Sequence, residues 1–434
     1  MTQIIDALTA GLSLGALPDY DCNNGALLRT LTGASAADLE KAVQNATAVG
    51  FVPFAENSIE GNRYVTLMRD GVQAHIYYCP CEQKLRIAAD PFTALYDASP
   101  VPYTRTCETT LWQFESDHSF IDCGMCFILR CADNSFFLID SGHYLQLNDH
   151  KRIYRFLRNH TPAGQPIVIA GWFITHGHDD HVCKFVDFLK EDFDDVTIEK
   201  LYFNIVSTEC RDSHFWKESN KQISRDFEKA AEESGIPIVK LHSGQKFFVR
   251  NLECTVLCTH EDVYPESLEN YNDSSTVLMI EADGCRVSIP GDAGDVESGI
   301  LTSRFTETTL GCDIMQQSHH GHFGTSIEYY RLSHAKVVLF PVTQIMFDGD
   351  LPRYEANRVA IDLADEYHIA SNGTAEVPLP YVPGSVRVLP DETFENFDRI
   401  RALWGYEYSD EYKQALFESF LSRSGLPAFD EIDP

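Results

Sequence analysis

The chain has 434 residues, 44% of them hydrophobic and 12% aromatic, enough for a sizeable core and for two or three domains. Its 34 basic and 65 acidic residues give a formal charge of −31, a field that repels polyphosphate chains, so the expected substrate is a small molecule rather than a nucleic-acid polymer. Thirteen cysteines without a repeated spacing argue for a reducing, cytoplasmic setting over a disulfide framework, and no apolar run approaches the ~18 residues of a membrane span.

At the N-terminus Asp6 interrupts the apolar run and no basic stretch precedes it, so no signal peptide is read there. Residues 1–108 are expected to form a small α+β domain. A helical pattern runs through ASAADLEKAVQNATAVGF, followed by the alternating stretches RYVTLMRDG, VQAHIYYC and KLRIAADP. Gly61-Asn62, Asp70-Gly71 and Cys79-Pro80-Cys81 mark the turns between them. His75 with Cys79 and Cys81 falls short of the four matched ligands of a structural zinc site and reads as a hairpin with bystander thiols.

From 109 to 392 the pattern changes. Strand-like runs such as MCFILRC, SFFLIDSG, PIVIAGWFITH, STVLMIEADG and AKVVLFPV alternate with helical stretches such as DHVCKFVDFLKED and SRDFEKAAEESG. Adjacent strand pairs, as in FILRCADNSFFLI, rule out a simple doubly wound parallel sheet. The expected class is α/β with an αββα order, two mixed sheets sandwiched between helices. An acidic helical tail is expected over 393–434.

The chemistry concentrates in FITHGHDDHVCKF, residues 173–185, directly after a buried strand. Val182, Phe185, Val186 and Leu189 fall at helical spacing, so the turn THGHDDH leads from a strand into a helix. Burying three imidazoles and two carboxylates together is costly without a compensating ion. Neutral imidazoles and carboxylates converging on one turn are what a borderline divalent ion needs. His176 and His178 are expected to hold a first metal, and Asp180 and His181 a second. His260, at the end of the strand LECTVLCT, is a candidate third ligand to the first metal, the alternative being a rim histidine bonded to the acidic turn after it. His143 and His322 lie beside the site in sequence, and Cys123-x-x-Cys126 reads as two thiols of a strand rather than a redox pair.

His176-Gly177-His178-Asp179-Asp180-His181 resembles the HxHxDH signature of the metallo-β-lactamase-fold hydrolases. The resemblance spans roughly residues 111–385. It implies that Asp140 in FFLIDSG supports the metal-binding loop and that Asp292 in VSIPGDAG bridges both metals. It also implies that QQSHHGHFG carries the last histidine, His319 as the favoured ligand with His320 facing substrate. Two divalent ions follow as cofactors, zinc first, with manganese or iron as alternatives. NDSSTVLMIEADGCRVSIPGDAG with DIMQQSHHG is similar to the hydrolase domain of DNA-uptake competence proteins and to phosphorylcholine esterases, although Gly124-Met125 stands where those have Gly-Asp. The resemblance therefore implies a phosphodiester or small phosphate ester substrate, with Asp180, Asp292 and His320 as the catalytic groups. A thioester, lactone or β-lactam on the same centre is the alternative, and a non-catalytic metal-binding sensing module is the alternative of another class.

Overall fold

The computed structural model describes residues 1–115, 123–144, 146, 148–207, 218–266, 268, 271–351 and 353–389. The acidic tail expected over 393–434 lies outside the described residues. Among the described residues the strands form three sheets.

The first sheet is antiparallel throughout. Its order is Gly15–Ala16, Leu27–Thr32, Lys84–Pro91, Val72–Cys79, Asn62–Arg69 and Val52–Ile59, with Tyr20–Asp21 paired to Leu27–Thr32. Period-2 alternation gives it two unlike faces. Leu67, Ala74, Ile76, Ile87 and Ala89 pack with Ile5, Leu8, Leu39 and Ala42 from the helices Thr2–Leu8 and Ala36–Ala48. The opposite face carries Tyr64, Thr66, Gln73, His75, Tyr77, Arg86 and Asp90, all buried against the rest of the molecule. There His75 Nε2 donates to Ser243 O (2.8 Å), Tyr77 donates to Asp262 (2.9 Å), and Gln73 meets His242 (3.1 Å). Tyr64 lies so close over Gly244 that a Cβ there would fall 1.9 Å from its ring. His75 is thus a satisfied core histidine, and Cys79 a buried thiol of the same face.

The other two sheets are mixed and face one another. One runs Ile238–Val239, Leu201–Tyr202, Ile167–Phe173, Phe136–Asp140, Cys126–Arg130, Thr110–Gln113, Thr374–Pro378, Arg387–Leu389. The other runs Lys246–Val249, Leu252–Cys258, Val277–Ala282, Cys285–Ile289, Ile314–Gln316, Val337–Phe340, Glu366–Ile369. Phe127, Leu129, Phe137 and Ile139 of the first meet Val256, Leu278, Val287 and Leu339 of the second in one apolar layer. The outer face of the first sheet is covered by Asp149–His160, Asp179–Lys190 and Glu218–Glu233, through Ile153, Leu157, Val182, Phe185 and Phe227. Leu301, Tyr329, Tyr330 and Ala360 of Asp295–Arg304, Ile327–Ser333 and Glu355–Leu363 cover the outer face of the second. The order helix, sheet, sheet, helix is the expected αββα sandwich, because each sheet has one face for its partner sheet and one for helices. Among the described residues, no helix is long and apolar enough to cross a membrane.

Candidate metal centre

The central strand Ile167–Phe173 pairs in parallel with Phe136–Asp140, and their C-terminal ends open onto the site. After Phe173 the chain turns through Thr175, His176 and Gly177 into the helix Asp179–Lys190, whose N-cap is His178. Gly177 lets the turn approach the neighbouring helix closely: a Cβ would lie 2.6 Å from Ser224 Oγ and 3.3 Å from its Cβ. Asp179 and Asp180 occupy the first helical turn, where backbone N–H groups favour negative charge.

The structure brings Asp180, His181, Asp292 and His320 together, all buried, with one ligand atom from each within 4.8 Å of the others. His176, His178 and Asp292 form a second such group, so Asp292 is common to both. His181 Nε2 is 3.3 Å from Asp292 and 3.6 Å from Asp180. His320 Nε2 is 3.0 Å from Asp180, 3.4 Å from Asp292 and 3.2 Å from His181 Nε2.

Two outward contacts aim these rings. His181 Nδ1 donates to Asp140 Oδ2 (2.6 Å), while Thr175 N and Oγ1 donate to the same carboxylate at 2.8 and 2.7 Å. His320 Nδ1 donates to Pro341 O (2.8 Å). Both histidines therefore turn Nε2 into the cluster, the arrangement that fixes a ligating imidazole. Asp140 lies behind His181, on the side of the ring away from the cluster.

Asp180 Oδ1 and both Asp292 carboxylate oxygens are buried without a hydrogen-bond donor. Buried carboxylate oxygens left this way are costly unless positive charge faces them. Burial opposes ionisation of Asp292 and Asp180, yet the His181 and His320 rings hold both well below the usual carboxylate range. Against the same desolvation, those carboxylates hold His181 well above its ordinary value and His320 up to about 10. Burial keeps His176 neutral, well below its ordinary value. A cluster that draws protons onto its own imidazoles is one a divalent cation would satisfy by displacing them. The donors, two carboxylates and four imidazoles over two adjoining groups, fit divalent zinc, manganese or iron.

Three placements differ from the expectation. His320, not its neighbour, reaches the four-residue group; His319 Nε2 is 4.0 Å from Asp292 and 2.8 Å from the Asn272 amide. The backbone makes this choice, because both residues take left-handed φ values, +48° and +56°, so their side chains diverge. His260 is not in either group. Thr259 caps the turn His260–Val263, which swings His260 toward the first sheet, where Tyr20 Oη lies 3.0 Å from Nδ1 and Nε2 donates to Asn204 Oδ1 at 2.9 Å. Burial holds it neutral, down to about 4.

Beside His176 and His178 stands Asn272, a residue that the ligand pattern of the sequence does not single out although it lies in the NDSS segment. Its Oδ1 is 3.3 Å from His176 Nε2 and 3.1 Å from His178 Nδ1. Cys123 is the second such residue: its thiol donates to Asp180 Oδ2 (3.1 Å), whereas Cys126 is buried in its strand. His143 approaches Asp179 (3.7 Å) and stacks on Tyr144, and His322 lies 5.5 Å from the His319 ring, so both border the site.

No protein-family model matches the chain, and no curated protein sequence matches it. Solved structures similar to it include the metallo-β-lactamase-fold protein YhfI from Bacillus subtilis (TM-score 0.38, 12% identity, 61% of this chain and 97% of that one). Yeast PDE1 is similar at TM-score 0.36 and 12% identity, over 61% of this chain and 98% of that one. Zn(2+)-bound PqqB from Methylobacterium extorquens is similar at TM-score 0.33 and 13% identity, over 56% and 84%. Two facing mixed sheets between helix layers, with the His-x-His-x-Asp-His turn, Asp292 and His320 meeting at the strand ends, make this chain a protein of the metallo-β-lactamase fold.

Proposed function

We propose that the chain is a metal-dependent hydrolase whose centre holds two divalent ions, zinc first, and acts on a phosphodiester or related small phosphate ester. The observation that carries this reading is the pair of adjoining His/Asp groups sharing Asp292, whose carboxylate oxygens have no protein donor. Two ions bound there would supply Lewis acidity and make water nucleophilic near neutral pH.

The residues divide the remaining work. Asp292 joins both groups and orients the attacking water between them. Asp180, anchored by the Cys123 thiol, fixes one side of the second group and is placed to relay a proton. Asp140, through His181, keeps that group in register. The phosphate-ester choice rests on the resemblance of the NDSSTVLMIEADGCRVSIPGDAG and DIMQQSHHG segments.

Hydrolysis of a carbonyl substrate, a thioester, lactone or β-lactam, is the second reading. It is favoured by the aromatic side chains that flank the mouth, Tyr144 (44% exposed) beside His143 and Phe323 (72% exposed) beside His319. The metal-loaded protein, assayed on a bis-nitrophenyl phosphate and a matched panel of thioesters, lactones and β-lactams, tests both. Turnover of the diester that Asp292→Ala abolishes supports the first reading, and turnover confined to carbonyl substrates replaces it by the second. Stoichiometric metal without turnover of any ester would leave a binding module in place of an enzyme.

A further inference from the structure

We infer that Asn272 is a metal ligand through its amide oxygen, held in that orientation by His319, and that the two metal positions are therefore unequal. This rests on the metal-dependent reading above and adds to it which residue completes the first position and which ion leaves first.

An asparagine amide presents either oxygen or nitrogen, and only its hydrogen-bond network decides which. Here a chain of bonds decides it. His319 Nδ1 faces the Phe323 carbonyl oxygen (3.2 Å), which can only accept, so Nδ1 carries the hydrogen and Nε2 the lone pair. That lone pair lies 2.8 Å from Asn272 Nδ2, which donates to it. Oδ1 is then the atom turned toward His176 Nε2 and His178 Nδ1, at 3.3 and 3.1 Å. Asp292 Oδ2 lies 3.9 Å from His176 Nε2, and a ligand atom of each of His176, His178 and Asp292 falls within 4.8 Å of the others. Asn220 Nδ2, 2.8 Å from His178 Nε2, holds that ring with Nδ1 turned toward Asn272. The left-handed backbone of His319 makes the arrangement: it points the ring across to Asn272 while His320 points inward.

The donor sets then differ in charge and hardness. The position of Asp180, His181, Asp292 and His320 offers two carboxylates and two imidazoles. The position of His176, His178 and Asn272 offers two imidazoles, a neutral amide oxygen and a share of Asp292. A neutral amide is a weaker donor than the imidazole that a third histidine would give, and a harder one, so this position binds later and tolerates manganese better relative to zinc. His319 is a positioning residue in this scheme, acting through Asn272.

Calorimetric titration of the metal-free full chain with Zn²⁺, and separately with Mn²⁺, reads this without any turnover assay. The wild type is expected to bind in two resolved steps. Asn272→Ala should weaken the second step about 10- to 100-fold with the first unmoved, and His319→Ala by about 10-fold. His319→Gln, whose amide oxygen still accepts from Asn272 Nδ2, should recover most of that loss. Asn272→His should tighten the second step for Zn²⁺ more than for Mn²⁺. Circular dichroism of each metal-free variant checks that the fold persists. Two-step binding that Asn272→Ala and His319→Ala both leave untouched overturns this inference and leaves the metal-dependent reading standing. Absence of any ion binding by the wild type overturns both.

Discussion

Two regions of this molecule bury histidines against carboxylates, and they differ in how far the protein itself satisfies the acids. In the metal centre, three buried carboxylate oxygens of Asp180 and Asp292 lack a hydrogen-bond donor, and the His181 and His320 rings crowd toward them. Between the first sheet and the sandwich, Glu261 receives His242 Nδ1 at 2.8 Å and Asn204 Nδ2 at 3.0 Å. Asp90 receives Gln73 (3.1 Å), with His242 at 3.4 Å and Lys240 at 3.8 Å. The second region leaves one such oxygen, Asp90 Oδ1, and turns Lys240 Nζ toward it at 3.8 Å, whereas the first leaves three with only imidazoles around them. Burial and residue type are alike in both, so the count of missing donors is what separates a site from a structural network.

Mutations should break the comparison along that line. The largest effect is expected from Asp292→Ala, which should remove metal from both positions and abolish turnover while leaving the cold, metal-free fold intact by circular dichroism. Retained metal by elemental analysis would show that the shared carboxylate is not needed. Glu261→Gln should do the reverse. It leaves the buried His242 charge with a weaker partner, costing up to ~3–5 kcal/mol in denaturant unfolding, with metal stoichiometry unchanged.

The pH dependence of unfolding should sharpen the same contrast. In the second region, against desolvation by burial, Glu261 and Asp90 hold His242 up to about 9. A base whose folded value is raised stabilises fully below its unfolded value near 6.5, and that stabilisation is lost as pH rises through about 9, a difference of about 3 kcal/mol. His260 and His75 are buried neutral, down to about 4 and about 3, so stability also falls as pH drops below about 6.5. A metal-free stability maximum near pH 6.5 is expected, and the alkaline limb should shrink in His242→Asn, the part that His181 and His320 supply remaining. The smallest effect is expected from Asp140→Asn, which keeps a polar partner for Thr175 but weakens the hold on His181 Nδ1. Metal affinity should fall about 10- to 100-fold, with the fold unchanged.

The sandwich was largely legible because its strands are apolar and bounded by turns. The helix over Ala36–Ala48 and the hairpin strands Asn62–Arg69, Val72–Cys79 and Lys84–Pro91 also lie where alternation put them. Val52–Ile59 was not legible: it carries Pro53 and little periodicity, which an edge strand tolerates because Pro53 sits at a break in its pairing with Asn62–Arg69. In the site, the dense turn His176–His181 announced itself because so many ionisable groups at the end of a buried strand are too costly to desolvate without a cation. What decided His319 against His320 was a pair of positive φ angles, and what removed His260 was a threonine cap that redirects one turn. Neither is written in residue type. Asn272 was hidden because a neutral amide becomes a ligand candidate only when tertiary structure shows what its nitrogen is bonded to.

The polar face of the first sheet has a consequence for anyone who would shorten the chain. Its buried Tyr64, His75, Tyr77 and Arg86 are not a lid over an apolar core but the counterparts of Ser243, Gly244 and Asp262. A shortened chain that began after Pro91 would hand those partners, together with Glu261 and Arg304, to water as a charged and irregular scar. Such a truncation calls for a redesigned surface, and the first ninety residues are better treated as part of the sandwich's foundation than as an appendage to it.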